Sequence, residues 1–260
     1  MTTLVTGASD GIGRELARIA AAHRDDVVLV ARREGKLRDL AKELEQQHGV
    51  RAHVVPADLG QPGAGTEVAA RVAALGIDVD HLINNAGFGI FGKFVETPLD
   101  IELQILQVNI VALTELTKRL LPGMIARGKG RILNVASTAA FLPGPLMAVY
   151  YASKAYVLSF SEAIANELAG SGVTVTVLCP GPTASGFQAA AHLEESKLVA
   201  GKTLATSREV AQDGYDAMLA GKTVIVSGFS NKLVTLMPRL LPRGVVATIV
   251  RGVQERREAS

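Results

Sequence analysis

Short, uninterrupted apolar runs alternate along this chain with longer stretches in which apolar residues recur every three or four positions. The first kind predicts strands buried on both faces of a sheet, the second amphipathic helices. Thr2–Thr6 is the first run, and 12–22 the first helix, with Ile12, Leu16, Ile19 and Ala20 on one stripe. Residues 27–31 form a second strand, 34–48 a charged amphipathic helix and 52–55 a third strand. A turn cluster at 60–65 leads into a helix over 66–75, and a fourth strand covers 80–84. A long helix is predicted over 98–126, a fifth strand over 131–136 and a second long helix over 150–170. Sixth and seventh strands fall at 173–178 and 223–226.

This alternation, with no in-out pattern inside the strands, predicts an α/β fold: a single doubly wound, Rossmann-type parallel sheet with helices on both faces. No linker or break in composition appears before about residue 185, so 1–260 reads as one domain. Ligands of such sheets lie beyond the carboxyl ends of the strands. Gly7, Arg32, Asp58, Asn85, Ser137 and Thr183, which follow or end predicted strands, should therefore converge.

Composition narrows the function classes. With 48% hydrophobic and 20% charged residues the chain can bury a core and is not disordered. A net charge of +2, 4% aromatic residues and no Trp argue against nucleic-acid binding. The lone Cys179 excludes an internal disulfide or a cysteine metal cluster and reads as a small buried hydrophobe at a strand end. Five histidines without ligand spacing imply no metal. A first strand starting at Thr2, and no apolar run of membrane-spanning length, predict a soluble, cytoplasmic protein.

The first thirteen residues carry a chemical signal. A β-branched strand meets Gly7, Gly11 and Gly13 and passes straight into a helix, in the spacing TGxxxGxG rather than GxGxxG. The glycines allow a sharp bend and a close approach, and the free N–H groups at the helix start suit a pyrophosphate. A second signal is Tyr150 and Lys154, four apart on one helix face, with Ser137 at the end of the preceding strand. A phenol near pKa 10 is a poor acid–base group at neutral pH, but a neighbouring ammonium favours its phenolate. A serine hydroxyl beside it can hold a carbonyl or alcohol oxygen. A lone Tyr-x-x-x-Lys is an ordinary surface pair, and the adjacent Tyr151 reads as a packing residue.

TGASDGIG (6–13), Asp58, NNAG (84–87), Asn109, Ser137, YYASK (150–154) and PGPTAS (180–185) together resemble the short-chain dehydrogenase/reductase family, in its order and spacing over roughly residues 1 to 190. The resemblance implies an NAD(P)-dependent oxidoreductase with an Asn109-Ser137-Tyr150-Lys154 tetrad. Tyr150 would be the general acid in carbonyl reduction and the base in alcohol oxidation. Lys154 would lower its pKa and bind the nicotinamide ribose. Ser137 would orient the substrate oxygen, and Asn109 would hold a water linking Lys154 to solvent. Bottom-up, an Asn among Val108, Ile110 and Val111 is a buried polar group that needs partners. The implied cofactor contacts begin with Gly7, Ser9, Gly11, Ile12 and Gly13 in the turn. Asp58 and Leu59 would meet the adenine, Asn85, Ala86 and Gly87 the middle. Pro180, Gly181 and Thr183 would lie at the carboxamide, with Ser185 as the alternative hydroxyl.

Cofactor choice follows from charge. An acid after the second strand would pair with a ribose 2′-hydroxyl, whereas Ala31 is followed here by Arg32 and Arg33, which suit a 2′-phosphate. NADP(H) is expected over NAD(H). Phe88, Ile90, Phe91, Phe94, Phe141, Leu142, Leu146 and Met147 make the segments 88–95 and 139–149 apolar, with Lys93 their sole cation. Together with about 185–200 these segments should wall a pocket for a small apolar aldehyde, ketone or alcohol. The tail 229–258 mixes apolar runs with Lys232, Arg239, Arg243, Arg251, Arg256 and Arg257. The favoured reading is a helix pair, broken at Pro238 and Pro242, that covers the pocket or a neighbouring subunit, its apolar stripe buried by the fold itself. The alternative is contact with a membrane surface. The apolar faces of the two long helices exceed what one sheet layer needs, and in the resembling family such helices pair between subunits, which implies a homodimer or homotetramer.

Overall fold

The computed structural model describes residues 1–191, 196 and 203–255. Its first half follows the expected order closely, with β1 (Thr2–Thr6), α1 (Gly11–Ala22), β2 (Asp26–Ala31), α2 (Glu34–His48), β3 (Ala52–Pro56), α3 (Ala64–Ala74) and β4 (His81–Asn84). The long helix expected over 98–126 is α4 (Leu99–Leu106) and α5 (Leu113–Ala126) joined by a π-helical turn, Gln107–Ala112. Then come β5 (Gly130–Val135), a 3-10 turn Thr138–Phe141, α6 (Ala148–Glu167) and β6 (Val173–Cys179). The rest comprises β7 (Thr183–Ala184), α7 (Phe187–Ala190), β8 (Ala205–Thr206), α8 (Ser207–Leu219), β9 (Val224–Val226), α9 (Phe229–Leu240) and α10 (Arg243–Gln254).

Seven strands form one sheet in the order β3-β2-β1-β4-β5-β6-β9, every pair parallel. β1 pairs with β2 on one side and β4 on the other, Val5 lying opposite both Leu29 and Ile83. The chain thus reverses its winding at β1, and a crevice opens between the carboxyl ends of β1 and β4. Helices α1, α2 and α8 cover one face through Leu16, Leu37, Leu44 and Tyr215, while α3 and α5 cover the other through Val68, Val72, Leu116 and Met124. Burying each such side chain contributes about 1.5–3 kcal/mol. With both faces covered, β2 is buried from Val27 to Val30, which is why its sequence is continuously apolar.

Helix α8 has no counterpart in the periodicity reading, although its start is written locally. Thr206 Oγ1 accepts from the Glu209 N–H at 3.2 Å and the Glu209 carboxylate accepts from the Thr206 N–H at 2.9 Å, a capping box. In the tail the break falls at Pro242 alone. Pro238 lies inside α9, within its last turn, where one lost backbone bond is tolerated. No helix among the described residues is long and apolar enough to cross a membrane. At the amino ends of the strands, remote from the crevice, Asp25 is buried and accepts from Thr3 Oγ1 at 2.7 Å and Tyr215 Oη at 3.2 Å. Burial alone would raise this carboxyl. The His81, Thr3 and Tyr215 contacts hold it below the ordinary value.

Candidate active site

The crevice is a cleft of about 1020 Å³, at the top of the range of about 300–1,000 Å³ typical of small-molecule sites. That is room for a long cofactor and a substrate together. Its floor is the β1–α1 turn. Gly7 (φ 67°) and Gly11 (φ 53°) occupy left-handed backbone. Asp10 caps α1 by accepting from the Gly11 N–H at 2.9 Å, so the helix start faces the cleft.

Gly13 departs from its expected place. It does not line the cleft but sits behind the turn, where a Cβ would lie 2.3 Å from Asn85 Nδ2 and 2.4 Å from the Gly7 carbonyl. Asn85 Nδ2 donates to the Thr6 carbonyl at 2.9 Å, and the Asn85 and Ala86 N–H groups both donate to Thr6 Oγ1 at 3.0 Å. The Asn85 amide thus ties β4 to the turn, and Gly13 gives it space. Gly13→Ala is expected to cost roughly 1–3 kcal/mol by overpacking, because the obstructing atoms include backbone. A lower urea midpoint checks this, and an unchanged midpoint would sink the packing role.

The Asn109, Ser137, Tyr150 and Lys154 side chains meet near the ends of β4 and β5. The π-helical turn adds a residue to the coil at Asn109, the kind of local widening often found at functional sites. Asn109 is 1% exposed, and its Nδ2 donates to the Phe88 carbonyl at 3.0 Å and to Ser153 Oγ at 2.9 Å. Its Oδ1 accepts from the Phe88 N–H at 3.1 Å. Both amide hydrogens serve the protein itself, so the side chain fixes the 87–88 loop and the start of α6. The water-holding role implied for Asn109 does not fall to these N–H groups. Ser153, which the motif reading passed over, completes the link by donating to the Tyr150 carbonyl at 2.7 Å.

Lys154 Nζ donates to the Val135 carbonyl at 2.8 Å and stands 5.7 Å from the centre of the Tyr150 ring. Gly87 allows this approach, since a Cβ there would lie 3.1 Å from Asn109 Oδ1 and 3.3 Å from Lys154 Nζ. Ser137 accepts from the Ala139 N–H at 3.1 Å and hydrogen-bonds the Tyr150 phenol. Burial pushes that phenol up to about 12, with the Ser137 bond pulling the other way. Burial likewise brings the Lys154 ammonium down to about 8. The expected lowering of Tyr150 by Lys154 has no counterpart here: desolvation sets the direction, Ser137 alone opposes it, and the phenol stands protonated at neutral pH. Tyr151 is a packing residue in a cluster with Met147, Val246 and Val250, its hydroxyl accepting from Gln254 Nε2 at 2.6 Å, yet it too reaches the cleft lining beside Tyr150. Cys179 is fully buried at the end of β6, its thiol raised to about 12 by desolvation.

At the far end of the cleft, past Ala31, both Arg32 and Arg33 line the wall. Arg33 donates to Ser9 Oγ at 3.0 Å and to Asp10 Oδ2 at 3.3 Å, while among the described residues no carboxylate pairs with Arg32. Asp58 and Leu59 line the same end, with Asp58 Oδ1 accepting from the Gly60 N–H at 3.1 Å. The glycine cradle and the helix start fit the pyrophosphate of a dinucleotide. At the opposite end, Pro180, Gly181, Thr183 and Ser185 all reach the cleft. Thr183 Oγ1 donates to the Gly181 carbonyl at 2.9 Å, and Ser185 Oγ accepts from the Phe187 N–H at 3.3 Å.

Only part of the expected apolar wall is in place. Phe88, Leu142 and Met147 line the cleft, joined by Phe187 from α7. Phe141 packs beside Val157 and Cys179 instead, and Phe94 is 65% exposed. Ile90, Phe91 and Leu146 border a smaller neighbouring cavity of about 490 Å³. Lys93 is exposed and pairs with Glu96 at 2.9 Å, so it clamps nothing in the cleft. Leu146 is held in left-handed backbone (φ 69°), its carbonyl accepting from the Gly92 N–H at 2.9 Å, which joins the two expected wall segments. Of the third segment, 192–195 and 197–200 lie outside the described residues. The tail does cover the cleft. α9 contributes Val234 and Met237 to its lining, α10 Ile249, Val250 and Val253. A Cβ on Gly181 would lie 2.4 Å from Asn231 Oδ1, so α9 seats directly on the loop after β6.

Comparison with known proteins agrees with this arrangement. Residues 1–196 match the family model described as short chain dehydrogenase. A very-long-chain 3-oxoacyl-CoA reductase of Phaeosphaeria nodorum is 38% identical over 176 residues, covering 66% of this chain and 52% of the relative. The matched region spans 52% to 62% of the length of the first curated relatives. Among solved structures, one described for 7beta-hydroxysteroid dehydrogenase stereoselectivity has a TM-score of 0.86 at 28% identity, covering 96% of both chains. A short-chain dehydrogenase from Sphingobium yanoikuyae in complex with NADPH has a TM-score of 0.82 at 27% identity, covering 99% of this chain and 98% of the other.

Proposed function

Since the chain belongs to the short-chain dehydrogenase/reductase family, we propose that it is an NADP(H)-dependent oxidoreductase that interconverts an apolar aldehyde or ketone and its alcohol. The observation that carries this reading is the convergence of Ser137, Tyr150 and Lys154 beneath Gly87, at the apolar end of a cleft that begins in a glycine cradle. Bound in that cleft, NADPH supplies the hydride. The chain's own residues then handle the oxygen and the proton. Ser137 and the Tyr150 phenol hold the substrate oxygen, and Tyr150 gives it a proton as its bond order falls. Lys154, charged below about pH 8, favours the phenolate left behind and would hold a ribose hydroxyl of the cofactor. In the oxidative direction the same phenolate takes the alcohol proton.

Phe88, Leu142, Met147 and Phe187 offer the substrate no charge, which supports an apolar carbonyl compound. Relatives named as a very-long-chain 3-oxoacyl-CoA reductase and a 7beta-hydroxysteroid dehydrogenase support a carbonyl/alcohol substrate with a large apolar body. Exposed Leu99, Leu103 and Tyr156 on α4 and α6 support a homodimer or homotetramer paired through these helices. A panel of apolar aldehydes and ketones, followed by nicotinamide absorbance, tests the activity. NADPH preference is tested at the arginines. Arg32→Ala and Arg33→Ala together should raise the KM for NADPH at least tenfold and leave that for NADH nearly unchanged, because only the 2′-phosphate loses a partner. Equal effects on both cofactors would mean the arginines do not read the phosphate.

A further inference from the structure

Helix α9 carries an apolar face that the fold does not use. Phe229, Leu233, Leu236 and Leu240 are 78%, 59%, 44% and 79% exposed. Their spacing of four, three and four residues places them on one stripe. Ser230, Val234 and Met237, which line the cleft, lie about a quarter turn round the same helix. The tail was expected to bury its apolar stripe within the fold. It does so through Val246 and Val250 of α10 and through the cleft face of α9, but the outer stripe is left over.

The charge around that stripe is one-sided. Phe229 to Gln254 contains Lys232, Arg239, Arg243 and Arg251 and no Asp or Glu. Arg251 is neutralised by Glu255 at 3.5 Å, whereas among the described residues neither Lys232 nor Arg243 has an acidic partner. A two-fold contact with a second copy would set this basic face against itself. An anionic lipid headgroup layer over an apolar interior complements it in both respects. We propose that the outer face of α9 docks on an anionic phospholipid surface, with the stripe in the interface plane and Lys232 and Arg243 at the headgroups. The cleft then opens beside the lipid, so an apolar carbonyl compound dissolved in the membrane reaches Tyr150 without crossing water. That purpose rests on the apolar-substrate reading, whereas the docking itself does not.

The test is cosedimentation of the full chain with phosphatidylserine/phosphatidylcholine vesicles and with phosphatidylcholine alone, at low and high salt. The wild type should pellet with the anionic vesicles, at least tenfold less with the neutral ones, and less at high salt. Leu233→Glu/Leu240→Glu, at two exposed positions outside the cleft, should stay in the supernatant with an unchanged melting temperature. No pelleting of the wild type, equal pelleting with both vesicle types, or equal pelleting of the variant would overturn the proposal. So would a wild type that ignores vesicles while the variant loses a dimer in size-exclusion chromatography, which would assign the face to a second copy. Turnover of a water-soluble aldehyde, measured on both proteins without vesicles, reports separately on the oxidoreductase reading.

Discussion

Tyr150→Phe is expected to lower kcat for carbonyl reduction at least a hundredfold while NADPH binding changes no more than a few-fold. The substitution removes one oxygen. The ring keeps its place, 5.3 Å from the Phe187 ring and 6.0 Å from that of Tyr151, so the cleft keeps its shape. What disappears is the proton that the substrate oxygen takes, and positioned acid–base groups contribute about 10²–10⁴ in rate. Ser137 stays and can still hold the oxygen, but its hydroxyl is far too weak an acid to replace the phenol. Steady-state kinetics beside a fluorescence titration of NADPH separates the two effects. A kcat within tenfold of the wild type would show that Tyr150 is not the proton donor. NADPH binding by the wild type without turnover of any compound in the panel would favour a cofactor-binding sensor over an enzyme.

A comparable effect is expected in stability, at Lys154. Its ammonium is 5% exposed, and burial lowers its pKa from the ordinary 10.5 to about 8. Between those values the unfolded chain binds the proton and the folded chain does not, so stability must rise with pH across that window. Below pH 8 both states hold the proton, and the folded state carries the full cost of a buried charge, on the order of 3 kcal/mol. The raised phenol of Tyr150 acts in the opposite sense only above pH 10, where the unfolded chain ionises first. Urea unfolding at about pH 7.5 and about pH 9.8 should therefore show the free wild type gaining roughly 2 kcal/mol more than Lys154→Met. Parallel pH profiles would mean that Lys154 titrates normally in the folded protein. The chain keeps a destabilising buried cation at this place, as a group positioned for chemistry rather than for stability would be.

The order of strands and helices was legible because each strand is buried on both faces and each helix on one, and burial leaves a period in the sequence. Strand ends were legible too, since Gly7, Asp58, Asn85, Ser137 and Thr183 break the apolar runs and all reach the cleft. Helix α8 is marked in the sequence by its cap, Thr206 with Glu209, more plainly than by the period of its apolar residues. What the pattern could not contain are contacts between distant positions. Asn109 reaches Ser153 across 44 residues, and Asn85 reaches Thr6 across 79. Those two bonds change the meaning of residues singled out from sequence: Asn109 becomes a brace for the loop and α6, and Gly13 a space for an amide.

The apolar walls show the same division. Phe88, Phe94 and Phe141 look alike in sequence, yet they come to lie in the cleft, in solvent and in the core. By itself the sequence determined which segments are strands and helices, that the sheet is parallel, and which polar residues gather at its carboxyl edge. Only the tertiary structure decided which apolar side chains line the cleft, that desolvation raises the Tyr150 phenol, and that one face of α9 remains uncovered. Hydrophobic periodicity records that a side chain prefers to leave water. What it meets on leaving depends on how whole elements pack.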